Sequence, residues 1–412
     1  MLDIKYVVEN KEKVKKNIKK KFQDKKLPLV DEVVELYSKV KENKIKRDEL
    51  GSKRNTLSTQ IGSLMREKNI DEANKIKDEV KNINDELKTI DETLETLNAE
   101  VKKRMMVIPN IIDGTVPIGE DDSHNVEIEK YGEPVVPDYE IPYHASILES
   151  FNGLDKDSAG RTSGNGFYYL MGDAARLSSA MLSYARDFMI DKGFTYCIPP
   201  FMIRSDVVTG VMSFDEMDAM MYKIEGEDLY LIGTSEHSMI GKFQNQIIKE
   251  ESLPITMTSY SPCFRKEVGA HGIEERGIYR VHQFEKQEMV VLCKKEEGMD
   301  WYNKMWQYTV ELFRSLDIPV RTLECCSGDL ADLKVKSCDV EAWSPRQKTY
   351  FEVGSCSILG DAQARRLGIR MKTNNGNEYV TTLNNLVVSI CTHLRESLKS
   401  LNLLRNLMVS NI

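Results

Sequence analysis

Between Phe264 and Glu288 the chain reads FRKEVGAHGIEERGIYRVHQFEKQE, a run dense in groups that bind phosphates and bases. A guanidinium presents a planar fork of N–H donors that matches phosphate oxygens, which makes Arg265 and Arg280 candidate triphosphate ligands. The carboxylate of Glu267 can accept from the amino group of an adenine, and the ring of Phe284 can stack on a base. Gly269 to Gly277 has the composition of a polar turn between two strands. A hairpin of this kind can hold a nucleoside triphosphate. A salt-bridged surface hairpin has the same composition.

The 412 residues suffice for two or three domains and a sizeable core. A net charge of −8 excludes a globally basic nucleic-acid binder, so any RNA contact must come from local patches. Lys11, Lys13, Lys15, Lys16, Lys19, Lys20 and Lys21 form one such patch, which a solvated helix face also explains. Eight cysteines occur without a CxxC pair, so neither a zinc knuckle nor a thioredoxin-like site is indicated. Burial as small hydrophobes suits the Cys325–Cys326 pair, and reduced thiols suit a cytosolic protein. No apolar run approaches a membrane-spanning length and no signal peptide precedes the lysine-rich start. The chain reads as soluble and cytoplasmic, without a membrane partner.

The elements that must position the hairpin begin with a helical pair. One seam runs through Val33, Leu36, Val40, Asn43, Arg47, Leu50, Arg54, Leu57, Ile61 and Leu64. A second runs through Ala73, Ile76, Val80, Ile83, Leu87, Ile90, Leu94, Leu97 and Val101. Spacings of three and four with a short turn near residues 68–71 predict an antiparallel coiled-coil arm. Each helix would span roughly 50 Å. Such an arm serves equally as a spacer or a dimerisation rod. Proline and glycine punctuation near residue 110 separates this arm, 1–110, from a body of 111–412. In the body, Ala174–Ile190 predicts an amphipathic helix with Leu177, Met181, Tyr184 and Phe188 near one face. The runs LYLI, ITMTSYSP, YRVHQFEKQEMVVL and TYFEVGSC have strand character without βαβ regularity. That pattern predicts an α+β body built on an antiparallel sheet.

F-R-x-E, a variable loop and R-V-H-Q-F-E-K-x-E together resemble motif 2 of class II aminoacyl-tRNA synthetases, in the form found in seryl-tRNA synthetases. GFTYCIPPFM at 193–202 resembles motif 1, with Pro200 at its proline, and VIPN…VPIGEDDSHN resembles the family's linker. The resemblance implies an antiparallel β-sheet catalytic core flanked by helices, a homodimer formed through the motif 1 helix and strand, and an N-terminal arm that reaches tRNA(Ser). It implies a serine–tRNA ligase, in which the carboxylate of L-serine attacks the α-phosphate of ATP and the seryl group then passes to tRNA. Catalysis of that kind rests on positioning and charge neutralisation.

By the same resemblance, Thr234, Ser235 and Glu236 in LIGTSEH form the serine site together with Glu288. Arg265 clamps the α-phosphate and the serine carboxylate, and Arg265 and Glu288 are the catalytic pair. Lys266, Glu267, Arg280, Val281 and Phe284 belong to the ATP site, as do Glu352, Val353, Gly354 and Ser355. Glu352 and Ser355 would hold Mg²⁺, for which one carboxylate and one hydroxyl completed by phosphate oxygens are a reasonable shell. In QARRLGIR, a further family-like run, Arg365 and Arg366 have structural readings.

The third motif departs from the family. After TLNN at 382–385, Leu386 stands where the family offers serine a hydroxyl or small side chain, and Thr392 where it has an arginine facing ATP. The family's E-N-x-Q and C-terminal tail are also missing. Arg395 is the nearest arginine, about 4.5 Å further along the axis of a helix. Val387, Ile390, Leu394, Leu398 and Leu401 predict that the segment is helical. Loss of one preorganised donor to developing charge costs ~10²–10³ in rate. The departures therefore leave open a weakened ligase, or a non-catalytic paralogue that binds tRNA or protein. A carrier-protein aminoacyl ligase fits less well, because those relatives lack the arm.

Overall fold

A computed structural model describes residues 1–267, 278 and 280–389. The chain divides into two compact units, one of residues 2–19 and 23–109, the other of residue 110 onward with Met1 and Lys20–Phe22.

The first unit is dominated by helices α1 (Leu27–Arg66) and α2 (Ile70–Met105), packed side by side along their length. Pro28 lies in the first turn of α1, where its missing N–H leaves no helical bond unmade. Val33, Val40, Ala73, Ile83, Ile90, Leu94 and Val101 are buried in the seam. Asn43, Arg47, Leu50, Arg54, Leu57, Ile61 and Leu64 continue it half-buried. Lys46–Glu86 (2.6 Å) and Lys53–Glu79 (2.7 Å) cross between the helices. Both pairs are largely exposed, so they favour the antiparallel register more than they add stability.

The second unit is built on an eight-stranded sheet: β1 (Val126–Tyr131), β2 (Thr195–Tyr196), β3 (Ile255–Phe264), β4 (Gln283–Cys293), β5 (Val320–Glu324), β6 (Lys336–Ser344), β7 (Thr349–Gly360) and β8 (Thr381–Ser389). Its order is β1-β5-β6-β7-β8-β4-β3-β2, antiparallel throughout except for the β2–β3 edge. Sequence-distant strands sit side by side, as an α+β body requires. Helices α3 (Gly172–Asp191) and α5 (Gly298–Ser315) cover one face of the sheet. The short helices α4 (Ser235–Gly241) and α6 (Ala362–Leu367) pack on the other.

Strand alternation sorts the side chains. On β4, Met289, Val291 and Cys293 join the apolar core with Tyr302, Met305, Leu312 and Phe313 of α5. Phe284, Lys286 and Glu288 alternate onto the opposite face. One predicted feature is refined and one is corrected. The stripe of α3 that enters the core is Ala174, Ser178, Leu182, Ala185 and Met189, whereas Tyr184 is exposed and Leu177, Met181 and Phe188 are half-buried. The bulkier residues flank that stripe: Leu177 and Met181 pack at the edge of the cluster around Leu148 and Leu182, and Phe188 at the edge of the sheet core. Val387 is not helical: it lies in β8 with Leu386, and its side chain is buried in the core. Pairing with β4 wins there over the 3.6-residue pattern. Ile390, Thr392, Leu394, Arg395, Leu398 and Leu401 lie outside the described residues.

A bulge in β7 decides where the site can form. Asp339 pairs with Ser355 and Glu341 with Glu352, although Ser355 and Glu352 are three positions apart. An odd spacing would put them on opposite faces of a regular strand, and the extra residue returns both to the face shared by Asp339 and Glu341. Val353 is buried in the core. A Cβ on Gly354 would lie 2.8 Å from both the Leu386 carbonyl oxygen and Thr309 Cγ2. Gly354→Ala should therefore lower stability by about 1–3 kcal/mol through overpacking. Thermal unfolding checks this; an unchanged midpoint would mean that β8 yields freely.

Candidate active site

The near face of the sheet gathers charge from four separate stretches of sequence. α4 starts at Thr234, whose extended backbone lets the side chain cap the helix. Thr234 Oγ1 accepts from the Glu236 backbone N–H (3.3 Å) and donates to Glu288 Oε1 (2.6 Å). Lys286 Nζ lies 2.5 Å from the same oxygen, and both charged side chains are almost wholly buried. The other oxygen of Glu288 is buried and has no protein hydrogen bond among the described residues.

Glu236 stands beside this pair. Its Oε1 accepts from Gln363 Nε2 (2.9 Å) and its Oε2 from Asn384 Nδ2. Burial raises its pKa and repulsion from Glu288 adds to the rise, while the Gln363 and Asn384 donors and the Lys286 charge oppose it. Asn384 Oδ1 and Ser235 Oγ are also buried without a protein partner among the described residues. His237 is neutral: burial first, then the positive charges of Lys286 and Arg265, push it down to about 3. The site thus holds unfilled acceptors next to two carboxylates, which suits a small cation.

Arg265 borders it. Its Nε donates to Gly233 O (3.2 Å), and its guanidinium lies 5.3 Å from the centre of the Phe284 ring. Phe284 is nine-tenths buried and packs with Val281, Cys263 and Tyr168. Glu267 and Arg280 pair with each other at 3.4 Å, so part of the hairpin carries the salt bridge its composition allowed. Lys266 Nζ donates to Asp218 O (3.0 Å), which turns it away from Arg265's partners.

Further along the same face, Glu352 and Ser355 sit opposite Glu341 and Asp339. Glu352 keeps solvent-exposed surface, yet the protein around it and the neighbouring Asp339 raise its pKa. Burial likewise raises Asp339, with Lys334 and Ser355 opposing. Crowded oxygen donors of this kind fit a hard divalent cation, and a cation would relieve their repulsion. The side chains of Val353 and Gly354 belong to the opposite face, so only their backbone is available to a ligand. Leu386 pairs with Glu288 across the β8–β4 ladder, so its side chain shares the site's face.

The structure thus brings together Thr234, Ser235, Glu236, Arg265 and Glu288, and sets Glu352 and Ser355 on their face. Sequence reasoning did not single out Lys286, Gln363 or Asn384. The even spacing of Lys286 from Glu288 was a usable signal for the first. The amides carry no charge pattern and had none. Arg365 and Arg366 serve structure, through Asp361 (2.8 Å) and the Met212 and Thr209 carbonyls (2.7 and 3.2 Å).

Comparison with known proteins agrees with this architecture. Residues 221–392 match the tRNA synthetase class II core domain (G, H, P, S and T), which defines the class of the body. Residues 1–112 match the seryl-tRNA synthetase N-terminal domain. A serine–tRNA ligase of Methanocella arvoryzae is 38% identical over 72% of this chain and 70% of its own. The crystal structure of seryl-tRNA synthetase from Pyrococcus horikoshii complexed with ATP superposes with a TM-score of 0.90 at 34% identity, covering 96% of this chain and 93% of that one. A cytoplasmic serine–tRNA ligase from Naegleria fowleri in complex with AMP gives 0.84 at 29% identity, over 96% and 92%. The chain belongs to the seryl-tRNA synthetase family.

Lys286 and Glu288 are a buried pair whose halves need each other. Lys286→Met should lower stability by about 3–5 kcal/mol by leaving Glu288 uncompensated. Lys286→Met with Glu288→Leu should recover much of that loss. Urea unfolding of the single and double variants measures it, and additive losses would show that the two charges act independently.

Proposed function

We propose that the chain is a serine–tRNA ligase that activates L-serine with ATP to seryl-adenylate and transfers the seryl group to tRNA(Ser). The observation that carries this reading is the buried pocket of Thr234, Glu236, Glu288 and Lys286, with its unfilled acceptors, on the face that also bears Arg265, Glu352 and Ser355. An ammonium has three donors, and Glu236, Glu288 Oε2 and Asn384 Oδ1 offer the acceptors. The serine hydroxyl is left to donate within the same pocket. Leu386 gives that hydroxyl no partner, so its recognition falls to the polar groups around Glu288.

Arg265 holds the serine carboxylate and the α-phosphate together. Its guanidinium covers Phe284, so an adenine can stack on that ring once the guanidinium has turned to phosphate. A carboxylate oxygen of serine then attacks the α-phosphorus, the bond to the bridging oxygen breaks, and pyrophosphate leaves. No side chain acts as nucleophile; the protein orients the reactants and meets the charge. Glu352 and Ser355 would hold Mg²⁺ beside the phosphates, where it neutralises their oxygens when bound.

The N-terminal arm, 1–110, is the element that reaches tRNA(Ser), and 111–412 is the catalytic domain. The exposed Tyr184 and Ile190 of α3 support a homodimer formed through that helix. A cytoplasmic location goes with tRNA as substrate. Among the described residues no helix is long and apolar enough to cross a membrane.

Serine-dependent ATP–pyrophosphate exchange by the full chain tests the reading. Exchange should be specific for serine and lost in Glu288→Ala. Arg265→Ala should raise the KM for ATP about 10–100-fold, the size of a lost charge-assisted contact. Tight tRNA binding without any exchange would overturn the ligase in favour of a binding protein.

A further inference from the structure

Gln363 lies in α6, has no role assigned above beyond its bond to Glu236, and has no exposed surface. Its Nε2 donates to Glu236 Oε1 at 2.9 Å and approaches Val211 O at 3.4 Å. Its Oε1 accepts from Thr382 Oγ1 at 2.7 Å. Thr382 is fully buried in β8, two residues before Asn384, which donates to the other oxygen of Glu236. The chain of bonds therefore has one sense. A threonine hydroxyl carries a single proton; given to Gln363 Oε1, it fixes the amide with its NH₂ toward the carboxylate. Two neutral amides, one from α6 and one from β8, then hold the two oxygens of Glu236.

That arrangement is costly unless it serves a ligand. Glu236 is buried next to a second carboxylate, and a buried charge with no partner of opposite sign drives itself toward neutrality. Lys286, the nearby cation, contacts Glu288. On α6 the charges are turned elsewhere, Arg365 to Asp361 and Arg366 to the Thr209 and Met212 carbonyls. Among the described residues Glu236 is thus left with amide donors and no ion pair of its own, which is what a cationic ligand completes.

We propose that Gln363, oriented by Thr382, is a positioning residue for serine: it holds the Glu236 carboxylate in the orientation that receives the ligand's ammonium. This rests on the serine-site reading of Glu236. Gln363 does not touch substrate and acts through the carboxylate alone. Replacing the amide by an apolar group of similar size leaves one oxygen of Glu236 without its donor, and the loss falls on ammonium binding rather than on ATP.

The test compares Gln363→Met, Thr382→Val and Thr382→Ser in pyrophosphate exchange. Calorimetric binding of a nonhydrolysable seryl-sulfamoyl adenosine and of its analogue lacking the amino group is measured on the same proteins. Gln363→Met and Thr382→Val should raise the KM for serine about 10-fold or more, the effect of one charge-assisted bond, with kcat and the KM for ATP within about 2-fold. Thr382→Ser keeps the hydroxyl and should stay near the parent. The affinity penalty should appear for the amino ligand and be absent for the other. Equal penalties for both ligands, or a fall in kcat with unchanged KM for serine, would overturn the proposal. If Gln363→Met does not fold, the Val and Ser variants at 382 still decide, since they differ in the hydroxyl. Failure of the parent itself to bind either ligand would instead sink the serine-site reading.

Discussion

The pleat of the sheet is the constraint on which the site depends. Side chains of a strand alternate between faces, so one sheet can be core on one side and chemistry on the other. In this chain the far face carries Met289, Val291, Cys356, Val353 and Val387 against the helix Gly298–Ser315. The near face carries Lys286, Glu288, Asn384, Ser355 and Glu352. The apolar side anchors the strands, and that rigidity lets the polar side keep charges close together. Asn385 marks the boundary: it faces the core, yet its Nδ2 donates to Met305 O and Thr309 Oγ1.

Alternation by itself would not assemble the set. Register shifts between Val340 and Glu341 in one ladder, and between Leu386 and Val388 in another, each add a residue to a strand. The first puts Glu352 and Ser355 on one face; the second lets Val387 and Val388 both enter the core. Bulges also increase local twist, which draws neighbouring strands around the site. Gly354 belongs to this device, because the carbonyl of Leu386 occupies the space a side chain would need.

The electrostatics follow from burial without full pairing. Glu288 has Lys286 and Thr234, whereas among the described residues Glu236 has only the amides of Gln363 and Asn384 at its oxygens. Low dielectric strengthens each of these bonds and penalises any acceptor left empty. A pocket with empty buried acceptors is therefore less stable without its ligand than with it, and the same groups that weaken the free protein select what binds. His237, driven neutral by burial and by the surrounding positive charge, adds no cation to compete with an ammonium.

The seams at Val33 to Leu64 and Ala73 to Val101 were legible because a heptad pattern with a short turn has one solution, and the helices Leu27–Arg66 and Ile70–Met105 are that solution. The α+β class was legible from strand-like runs without βαβ order, Arg265 from residue type, and Thr234, Glu236 and Glu288 as candidates from the resemblance to the family's motifs. The helix Gly172–Asp191 was legible from its period, but which of its stripes lies deepest was not, since only packing selects one. Val387 was misread because a strand's partners lie about a hundred residues away. Gln363 and Thr382 were invisible because neutral amides and hydroxyls gain meaning only from the group they touch. Sequence fixes local period and charge. Which residues share a face, and which oxygen each donor meets, are set by register and bulges, and those exist only once distant strands have paired.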